Sequence, residues 1–319
     1  MPHTAVNAAE PSADQSRPSM LRLYADLTKI RLSVLVVVTA SVGAIMASGP
    51  EIAWWLVLWT TIGTLLSATA ANAINQVMEV RRDALMERTH DRPIPSGRLS
   101  AVHGWVVAVL LGYGGIFTLA IMVNFFAAGL ALLTLLLYVL AYTPLKVLSS
   151  FNTLIGAIVG AIPPLIGWVA VRGTIDAGGF VLAALLFLWQ LPHFLTLVWM
   201  YRDEYDQAGF RMLPSVAGGD RVIGEASLIS ALLLIPLALM MTSLKLTGVV
   251  YVAAAILVGL WFVWKCLVFY RNQSREHARS AFLASLAYLP IVLLFMVLDR
   301  SPMPLQQPAM LAPTALDQP

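Results

Sequence analysis

The chain has 319 residues, of which 59% are hydrophobic and only 12% are charged, and its mean hydropathy is +0.79. This composition excludes an ordinary water-soluble domain, in which about 25% of residues are charged. The formal net charge is only +3, and no nucleic-acid partner is predicted. The single cysteine, Cys266, lies in an apolar run, which excludes disulfides within the chain and argues against a thiol mechanism.

The chain begins with a polar segment that contains Glu10 and Asp14 and lacks the features of a signal or transit peptide. Residues 1–22 are predicted to be disordered and cytoplasmic, residues 23–300 to form one transmembrane domain, and residues 301–319 to be a disordered tail. Apolar runs near or above eighteen residues recur through the domain and indicate spanning helices. The predicted fold is all-α, with nine spans around a central cavity: 32–49, 53–76, 103–122, 124–142, 152–171, 179–199, 226–244, 248–268 and 281–298.

Lysine and arginine are divided unequally between the two sides of these spans. If the N-terminus is cytoplasmic, all 20 basic residues lie on the cytoplasmic side except Arg172, Lys245 and Arg300. Cytoplasmic loops of membrane proteins carry such an excess of Lys and Arg. The distribution therefore predicts a cytoplasmic N-terminus and an external C-terminus, whereas eight or ten spans would place a basic loop on the wrong face.

Two predicted cytoplasmic loops, 77–102 and 200–225, are much longer than the other connections. Each carries carboxylates close to a helix end, and they follow the second and the sixth spans. Asp83 and Asp203 are therefore four spans apart. This spacing predicts two four-helix units with a ninth helix added, and an acidic loop of each unit on the same membrane face.

The first long loop begins with a ladder of oxygen-bearing side chains. Asn75, Glu79 and Asp83 are four residues apart, which stacks them along one face of a helix. Carboxylates and an amide suit Mg²⁺, and Arg88 and Arg92 downstream suit phosphate oxygens. The alternative is a solvated helix end whose carboxylates pair with adjacent arginines. The position of the ladder at the mouth of an apolar span favours the metal site.

The second long loop begins with another acidic group. Asp203 with Asp206, or Glu204 alone, could hold a second Mg²⁺ opposite the first. Two cations would neutralise the charge that grows on a departing diphosphate. An ordinary polar loop is the alternative for each of these residues.

Polar side chains within or beside the predicted spans form a third group. They are costly in a membrane unless they face protein or water, so they indicate a cavity. His193 could bind a metal centre, act as an acid or base, or bond a neighbouring helix. Lys146 could meet phosphate or extend to water. The group comprises Tyr142, Thr143, Lys146, Asn152, Trp189, Gln190 and His193.

Several segments resemble the membrane-intrinsic prenyltransferases. The ladder, followed by Met86-Glu87-Arg88-Thr89 and Arg92-Pro93, is similar to their first acidic motif, although Glu79 stands where Asp is more common. The second motif departs further, because position 205 is Tyr and not Asp. The resemblance covers residues 23–300, and the following segments narrow it to the protoheme IX farnesyltransferase branch: Tyr142-Thr143-Pro144-Leu145-Lys146, Pro163-Pro164-Leu165-Ile166-Gly167-Trp168, Trp189-Gln190-Leu191-Pro192-His193-Phe194 and Ala208-Gly209-Phe210-Arg211-Met212-Leu213-Pro214.

The resemblance implies farnesyl diphosphate and haem B as substrates, haem O and diphosphate as products, and Mg²⁺ as cofactor. It implies a multi-pass protein of a bacterial inner membrane, in contact with the lipid bilayer and with haem A synthase or oxidase assembly factors as candidate partners. It implies that the metal and catalytic residues are Asn75, Glu79, Asp83, Asp203, Glu204 and, as a metal ligand, Asp206. It implies that the substrate contacts come from Arg88, Arg92, Lys146, Arg202, Asn152, Tyr142, Gln190 and His193.

Three alternatives predict different chemistry. A prenyltransferase for a quinone or chlorophyll precursor would not accept haem. A membrane transporter would bury ionisable residues near the bilayer midplane, whereas these carboxylates gather at one face. A structural role in oxidase assembly would not require the acidic ladder.

Overall fold

A computed structural model describes residues 19–301 and shows thirteen α-helices in that range. A π-helical segment, Leu137–Tyr142, joins the sixth helix to the seventh. Residues 1–18 and 302–319, on which the predictions of disordered ends mainly fall, lie outside the described residues. The predicted segment 1–22 overlaps the first helix, because that helix begins at Met20. The helices are α1 (Met20–Leu27), α2 (Ile30–Ala47), α3 (Trp54–Met78), α4 (Val80–Asp83), α5 (Ala101–Met122), α6 (Phe125–Leu136), α7 (Thr143–Leu148), α8 (Asn152–Arg172), α9 (Ala177–Met200), α10 (Arg202–Gln207), α11 (Gly219–Ser243), α12 (Val249–Arg271) and α13 (Arg275–Leu298).

Nine stretches of the described residues are long and apolar enough to cross a membrane, and they match the nine predicted spans in order. The chain is therefore a multi-pass membrane protein. The spans are α2, α3, α5, the continuous rod from α6 to α7, α8, α9, α11, α12 and α13. Three of them extend beyond the predicted bounds by six or seven residues, to Leu148, from Gly219 and from Arg275. Hydropathy marks the membrane core, whereas backbone hydrogen bonding continues the helices into polar sequence.

The order of packing repeats along the chain. In the first half α2 packs on α3, α3 on α5 and α5 on α6. In the second half α8 packs on α9, α9 on α11 and α11 on α12, and α13 closes the bundle against α12 and α9. This repeat agrees with the predicted pair of four-helix units and a ninth helix.

The two halves meet where α2 crosses α8 at very short range. A Cβ atom on Gly167 would lie 1.8 Å from the carbonyl oxygen of Ala40, and one on Gly43 would lie 2.1 Å from that of Pro164. Only glycine permits this approach of two backbones. The crossing fixes α2 and α8 as adjacent walls of the interior.

The two long loops pack on each other at one end of the bundle. Met86 of the first loop shares a buried apolar cluster with Ala208, Phe210 and Met212 of the second loop. Val198, near the end of α9, completes the cluster. The structure therefore brings both loops to the same face, as predicted.

Candidate active site

Two adjoining cavities lie between the helices at the end of the bundle that carries the long loops. One is polar, has a volume of about 830 Å³ and is lined by α1, α3, α4 and both loops. The other is apolar, has a volume of about 240 Å³ and extends between α2, α3, α8 and α9. Leu32, Tyr138, Tyr142 and Phe194 line both cavities. The arrangement suits a molecule with a charged head and a hydrocarbon tail.

The ladder lines the polar cavity. Asn75 lies in the last turn of α3, Glu79 at the junction with α4 and Asp83 at the end of α4. The backbone N–H of Glu79 donates to the Asn75 carbonyl at 2.9 Å, and that of Asp83 donates to the Glu79 carbonyl at 2.8 Å. Helical bonding thus continues across the junction and keeps the predicted stacking. All three side chains are buried, which excludes the solvated helix end.

Each member of the ladder contacts one basic side chain from another part of the chain. Lys29 Nζ donates to Asn75 Oδ1 at 3.1 Å. Lys146 Nζ lies 2.9 Å from Glu79 Oε1, and an Arg92 guanidinium nitrogen lies 2.6 Å from Asp83 Oδ2. These pairs balance charge in a site whose carboxylates are only 7% and 3% exposed.

Lys29 was not predicted as a site residue. It joins α1 to α2 in a left-handed conformation, with a φ of 47°, which turns its side chain into the polar cavity. Burial, and then the nearby charges of Arg92 and Lys146, lower the pKa of its ammonium to about 7. The only sequence signal was a basic residue directly before the first apolar span.

The π-helical segment supplies an aromatic wall between the two cavities. Tyr138 and Tyr142 lie on this segment, with ring centroids 5.2 Å apart. The ammonium of Lys146 lies 4.6 Å from the centre of the Tyr142 ring. The ring also covers Gly156, where a Cβ would lie 2.9 Å from Tyr142 Cε2. A π-helical turn changes the direction of successive side chains and is frequent at functional sites.

Asn152 lines the polar cavity and holds the second loop against the bundle. Its side-chain amide donates to the carbonyl oxygens of Ser149 and Arg211, at 2.7 and 3.1 Å. The backbone N–H of Arg211 donates to the Lys146 carbonyl at 2.8 Å. The second loop is thereby attached to the helix that carries Lys146.

In the second loop, Tyr205 lines the polar cavity. The neighbouring carboxylates of Asp203, Glu204 and Asp206 do not line it. The Tyr205 hydroxyl accepts from Arg88 at 3.2 Å, which links the two loops. The Asp203 side chain is 88% exposed, and Asp206 accepts a hydrogen bond from Ser215. Successive side chains of a helix point about 100° apart, so the inward direction of Tyr205 turns its neighbours on α10 away.

Arg202 also lies away from the polar cavity. It contacts Asp220 at 3.3 Å and lies 4.8 Å from the centre of the Trp199 ring. Among the residues that the structure describes, no group of three or more His, Cys, Asp or Glu side chains is close enough to hold one metal ion. The sequence predicted two Mg²⁺ sites, with Asn75, Glu79 and Asp83 at the first and Asp203, Glu204 and Asp206 at the second, and this assignment stays a prediction.

The ladder nevertheless fits Mg²⁺ by its chemistry. Mg²⁺ binds hard oxygen ligands and usually takes one or two carboxylates together with substrate phosphates, instead of a complete protein cage. Glu79, Asp83 and the amide oxygen of Asn75 provide such a partial set in the polar cavity. The amide nitrogen of Asn75 is buried without a hydrogen-bond partner, so the Asn75 side chain is held only through its oxygen.

Gln190 and His193 line the apolar cavity from α9. The Gln190 amide donates to the carbonyl oxygens of Leu186 and Ala157, at 3.0 and 3.4 Å, and so connects α9 with α8. The His193 ring stacks between Trp189 and Phe282, with centroid distances of 5.1 and 4.8 Å. The sequence indicated a cavity beside these residues, and the structure contains it.

Comparison with known proteins identifies relatives along most of the chain. Residues 36–287 match the model of the UbiA prenyltransferase family. A protoheme IX farnesyltransferase of Koribacter versatilis is 40% identical over 293 residues, which cover 89% of this chain and 94% of the relative. A protein of the same name from Opitutus terrae is 42% identical over 278 residues, which cover 87% and 94%.

Solved structures resemble the fold. A structure of digeranylgeranylglyceryl phosphate synthase matches with a TM-score of 0.73 at 18% identity, over 88% of this chain and 98% of that one. A UbiA homolog from Archaeoglobus fulgidus bound to GPP and Mg²⁺ matches with a TM-score of 0.61 at 11% identity, over 86% and 99%. At these identities the likeness concerns the fold alone.

Proposed function

The chain belongs to the UbiA prenyltransferase family, and we propose that it transfers the farnesyl group of farnesyl diphosphate to the vinyl group of haem B. The products are haem O, with its hydroxyethylfarnesyl side chain, and diphosphate. The observation that carries the proposal is the buried polar cavity, with paired acidic and basic groups, beside an apolar cavity. The names of the relatives support haem B as the acceptor.

The ladder residues Asn75, Glu79 and Asp83 would hold Mg²⁺ in the polar cavity, where the diphosphate also binds. Mg²⁺ supplies positive charge to the departing diphosphate. Lys146 and Arg92 lie next to the same carboxylates, so both can turn from the carboxylates to the diphosphate oxygens without leaving the polar cavity. Arg88 adds a third cation from the same cavity.

The reaction begins when the C–O bond of farnesyl diphosphate breaks and its electron pair leaves with the diphosphate. The resulting allylic cation lies at the boundary of the two cavities, where the faces of Tyr138, Tyr142 and Phe194 stabilise positive charge. The apolar lining keeps water scarce. The haem vinyl group attacks the allylic cation, and water then adds to the new carbocation and loses a proton.

The second acidic group has a supporting role in this proposal. Asp203, Glu204 and Asp206 would provide the ligands of a second Mg²⁺ when the substrate is bound, and Arg202 would provide further positive charge from the same loop. Gln190 and His193 contact the haem from α9. The proposed location is a bacterial inner membrane, with haem A synthase or oxidase assembly factors as partners.

Analysis of extracted haem tests the proposal. A host that lacks haem O should accumulate it when this chain is expressed, and mass analysis of the extracted pigments should show the farnesylated product. The purified protein with Mg²⁺ and farnesyl diphosphate should modify haem B. Prenylation of a hydroxybenzoate or naphthoate in place of haem B would show that the proposed acceptor is wrong.

A transporter is disfavoured, because no acidic side chain lines the apolar cavity among the described residues.

A further inference from the structure

Ser285 on α13 contacts Trp189 and His193, two aromatic residues of α9 that line the apolar cavity. Its hydroxyl oxygen lies 2.8 Å from His193 Nδ1. Its carbonyl oxygen accepts from Trp189 Nε1 at 2.7 Å. Ser285 is fully buried, so these bonds fix one edge of the His193 ring against α13.

The hydrogen-bond chain assigns the tautomer of the His193 ring. The Ser285 hydroxyl donates to the carbonyl oxygen of Phe282 at 2.6 Å. A hydroxyl has a single proton, so its oxygen must accept from His193, and Nδ1 must carry a hydrogen. In the neutral ring Nε2 then has a free lone pair. No described residue bonds this nitrogen, and the ring lines the apolar cavity.

We propose that Nε2 of His193 is the protein ligand of the haem iron and that Ser285 is the residue that positions it. The inference rests on the proposed function, because it assigns how the acceptor substrate is held. Neutral imidazole is the commonest protein ligand of haem iron. A histidine that binds a metal usually donates its other N–H to an oxygen, which fixes its tautomer and direction. Ser285 provides this oxygen.

The contacts favour an iron ligand over a general base. A base that takes a proton on Nε2 would form a cation, and its Nδ1–H faces a neutral hydroxyl where a carboxylate would be needed to stabilise the charge. The chain from His193 ends at a backbone carbonyl, which cannot carry a proton onward. Stacking on Trp189 and Phe282 also restricts the ring to one plane, as a fixed ligand requires.

The position of His193 agrees with this role. It directly precedes Phe194, which lines both cavities and so marks the boundary where the farnesyl cation would form. An iron bound at His193 keeps the porphyrin in the apolar region beside that boundary. The ligand would thus orient one vinyl group towards the farnesyl donor without contacting the diphosphate.

The test measures the iron ligand directly. Ferrous haem B is added to the purified full-length protein without farnesyl diphosphate, and resonance Raman spectroscopy records the iron–histidine stretching band. His193→Gly should lose the band, and added imidazole should restore it. Ser285→Ala should keep the band but shift it, with about 10- to 100-fold weaker haem binding. Ser285→Thr, which keeps a hydroxyl, should lie closer to the wild type.

His103→Ala is the matched control, because His103 bonds Tyr24 at 2.8 Å and lines neither cavity. It should leave the band unchanged. An unchanged band in His193→Gly, or no iron–histidine band in a wild-type protein that makes haem O, would overturn the inference and leave the proposed function intact. A wild-type protein that binds haem through His193 but makes no haem O would instead contradict the proposed function.

Discussion

Three polar side chains and three basic side chains are paired in the polar cavity, and the pairs come from four separate parts of the chain. Asn75 contacts Lys29, Glu79 contacts Lys146, and Asp83 contacts Arg92. Removal of one member of a buried ion pair leaves the other without a partner, which costs about 3–5 kcal/mol. Variants of these residues therefore affect stability as well as catalysis, and their tests must measure both.

Neutral replacement of the ladder carboxylates should abolish activity. Glu79→Gln and Asp83→Asn keep the side-chain shape but remove a charged Mg²⁺ ligand, and we expect at least about a 100-fold loss of haem O formation, the size of effect seen when one stabilising group of a transition state is removed. Haem extraction and mass analysis provide the measurement. Glu87→Gln, an exposed residue of the same loop, is the control and should retain activity. Normal haem O levels in both ladder variants would favour the structural role in oxidase assembly.

The double variant Glu79→Gln with Lys146→Met separates the two effects. It removes both members of one pair and leaves no unpaired buried charge, so the loss of stability should be smaller than in Glu79→Gln alone. Thermal unfolding in detergent measures this difference. Activity should stay low, because the metal ligand is still absent. Recovery of activity together with stability would show that Glu79 acts only through its ion pair.

Lys29 should make diphosphate binding depend on pH. Its ammonium has a pKa of about 7 in place of 10.5, so it is charged below pH 7 and neutral above. Bound diphosphate stabilises the charged form of Lys29, so above about pH 7 the protein should take up a proton when diphosphate binds. The affinity for diphosphate should therefore fall as the pH rises from about 7 towards 10.5. Calorimetry with inorganic diphosphate, in metal-free buffers of different ionisation enthalpy, measures the proton uptake.

Lys29→Arg is the matched control for this dependence. Arginine stays charged over this pH range, so the variant should take up less of a proton than the wild type when it binds diphosphate at the same pH. The same proton uptake in Lys29→Arg and in the wild type would assign the titration to another group.

At the scale of the helices, the interior depends on the close crossing of α2 and α8. Gly167 faces the backbone of Ala40 with no room for a methyl group, whereas nothing lies within 4 Å of a Cβ placed on Gly129 of α6. Both residues lie within spanning helices. Their comparison therefore isolates packing from the intrinsic preference of alanine for helices.

Gly167→Ala should destabilise the protein, because α2 and α8 must separate to admit the methyl group. Overpacking of this kind costs about 1–3 kcal/mol. Gly129→Ala should be neutral or slightly stabilising, since alanine exceeds glycine in helix propensity by up to about 1 kcal/mol. Thermal unfolding in detergent compares the two. Equal stability of both variants would show that the crossing adapts without cost.

The second loop shows why residue type alone did not predict which of its side chains lines the polar cavity. Three carboxylates suggested metal ligands, but the orientation of α10 directs Tyr205 into the polar cavity. This orientation is set by the packing of Tyr205 on Phe210, with ring centroids 5.7 Å apart, and by the bond from Arg88. Each contact joins Tyr205 to a residue outside α10, so no pattern within Arg202–Gln207 could predict it.

At the scale of the whole molecule, the nine spans place both long loops at one end of the bundle and Arg300 at the other. Arg300 donates to the carbonyl oxygens of Ile45, Gly49 and Pro50. The C-terminal ends of the first and ninth spans therefore lie at the same face of the membrane. This is expected because, in a chain with an odd number of spans, the first and last spans cross in the same direction. The sequence predicts that this face is external, because it carries few basic residues.

Reporter fusions test the predicted orientation. Alkaline phosphatase, which is active only outside the cytoplasm, should be active when fused after Ser301 and inactive when fused after Asn272. A fluorescent protein that folds only in the cytoplasm should give the opposite pattern at the two sites. Phosphatase activity after Asn272 alone would show that the orientation is reversed, while the fold and the site would be unaffected.

The sequence by itself determined the all-α membrane fold, the number and order of the spans, and the acidic ladder at the mouth of the second span. These features depend on local periodicity: an apolar run long enough to cross a bilayer, and a four-residue spacing that one helix face repeats. The resemblance to membrane-intrinsic prenyltransferases was also present in the sequence, and the family comparison confirmed it.

Only the tertiary structure decided which groups meet. Lys29 reaches Asn75 across 46 positions, Arg88 reaches Tyr205 across 117, and His193 reaches Ser285 across 92. Such contacts depend on a left-handed residue between two helices, on the direction of a short helix and on the packing of distant spans. Local sequence cannot specify them, because the partners become neighbours only after the whole bundle has assembled.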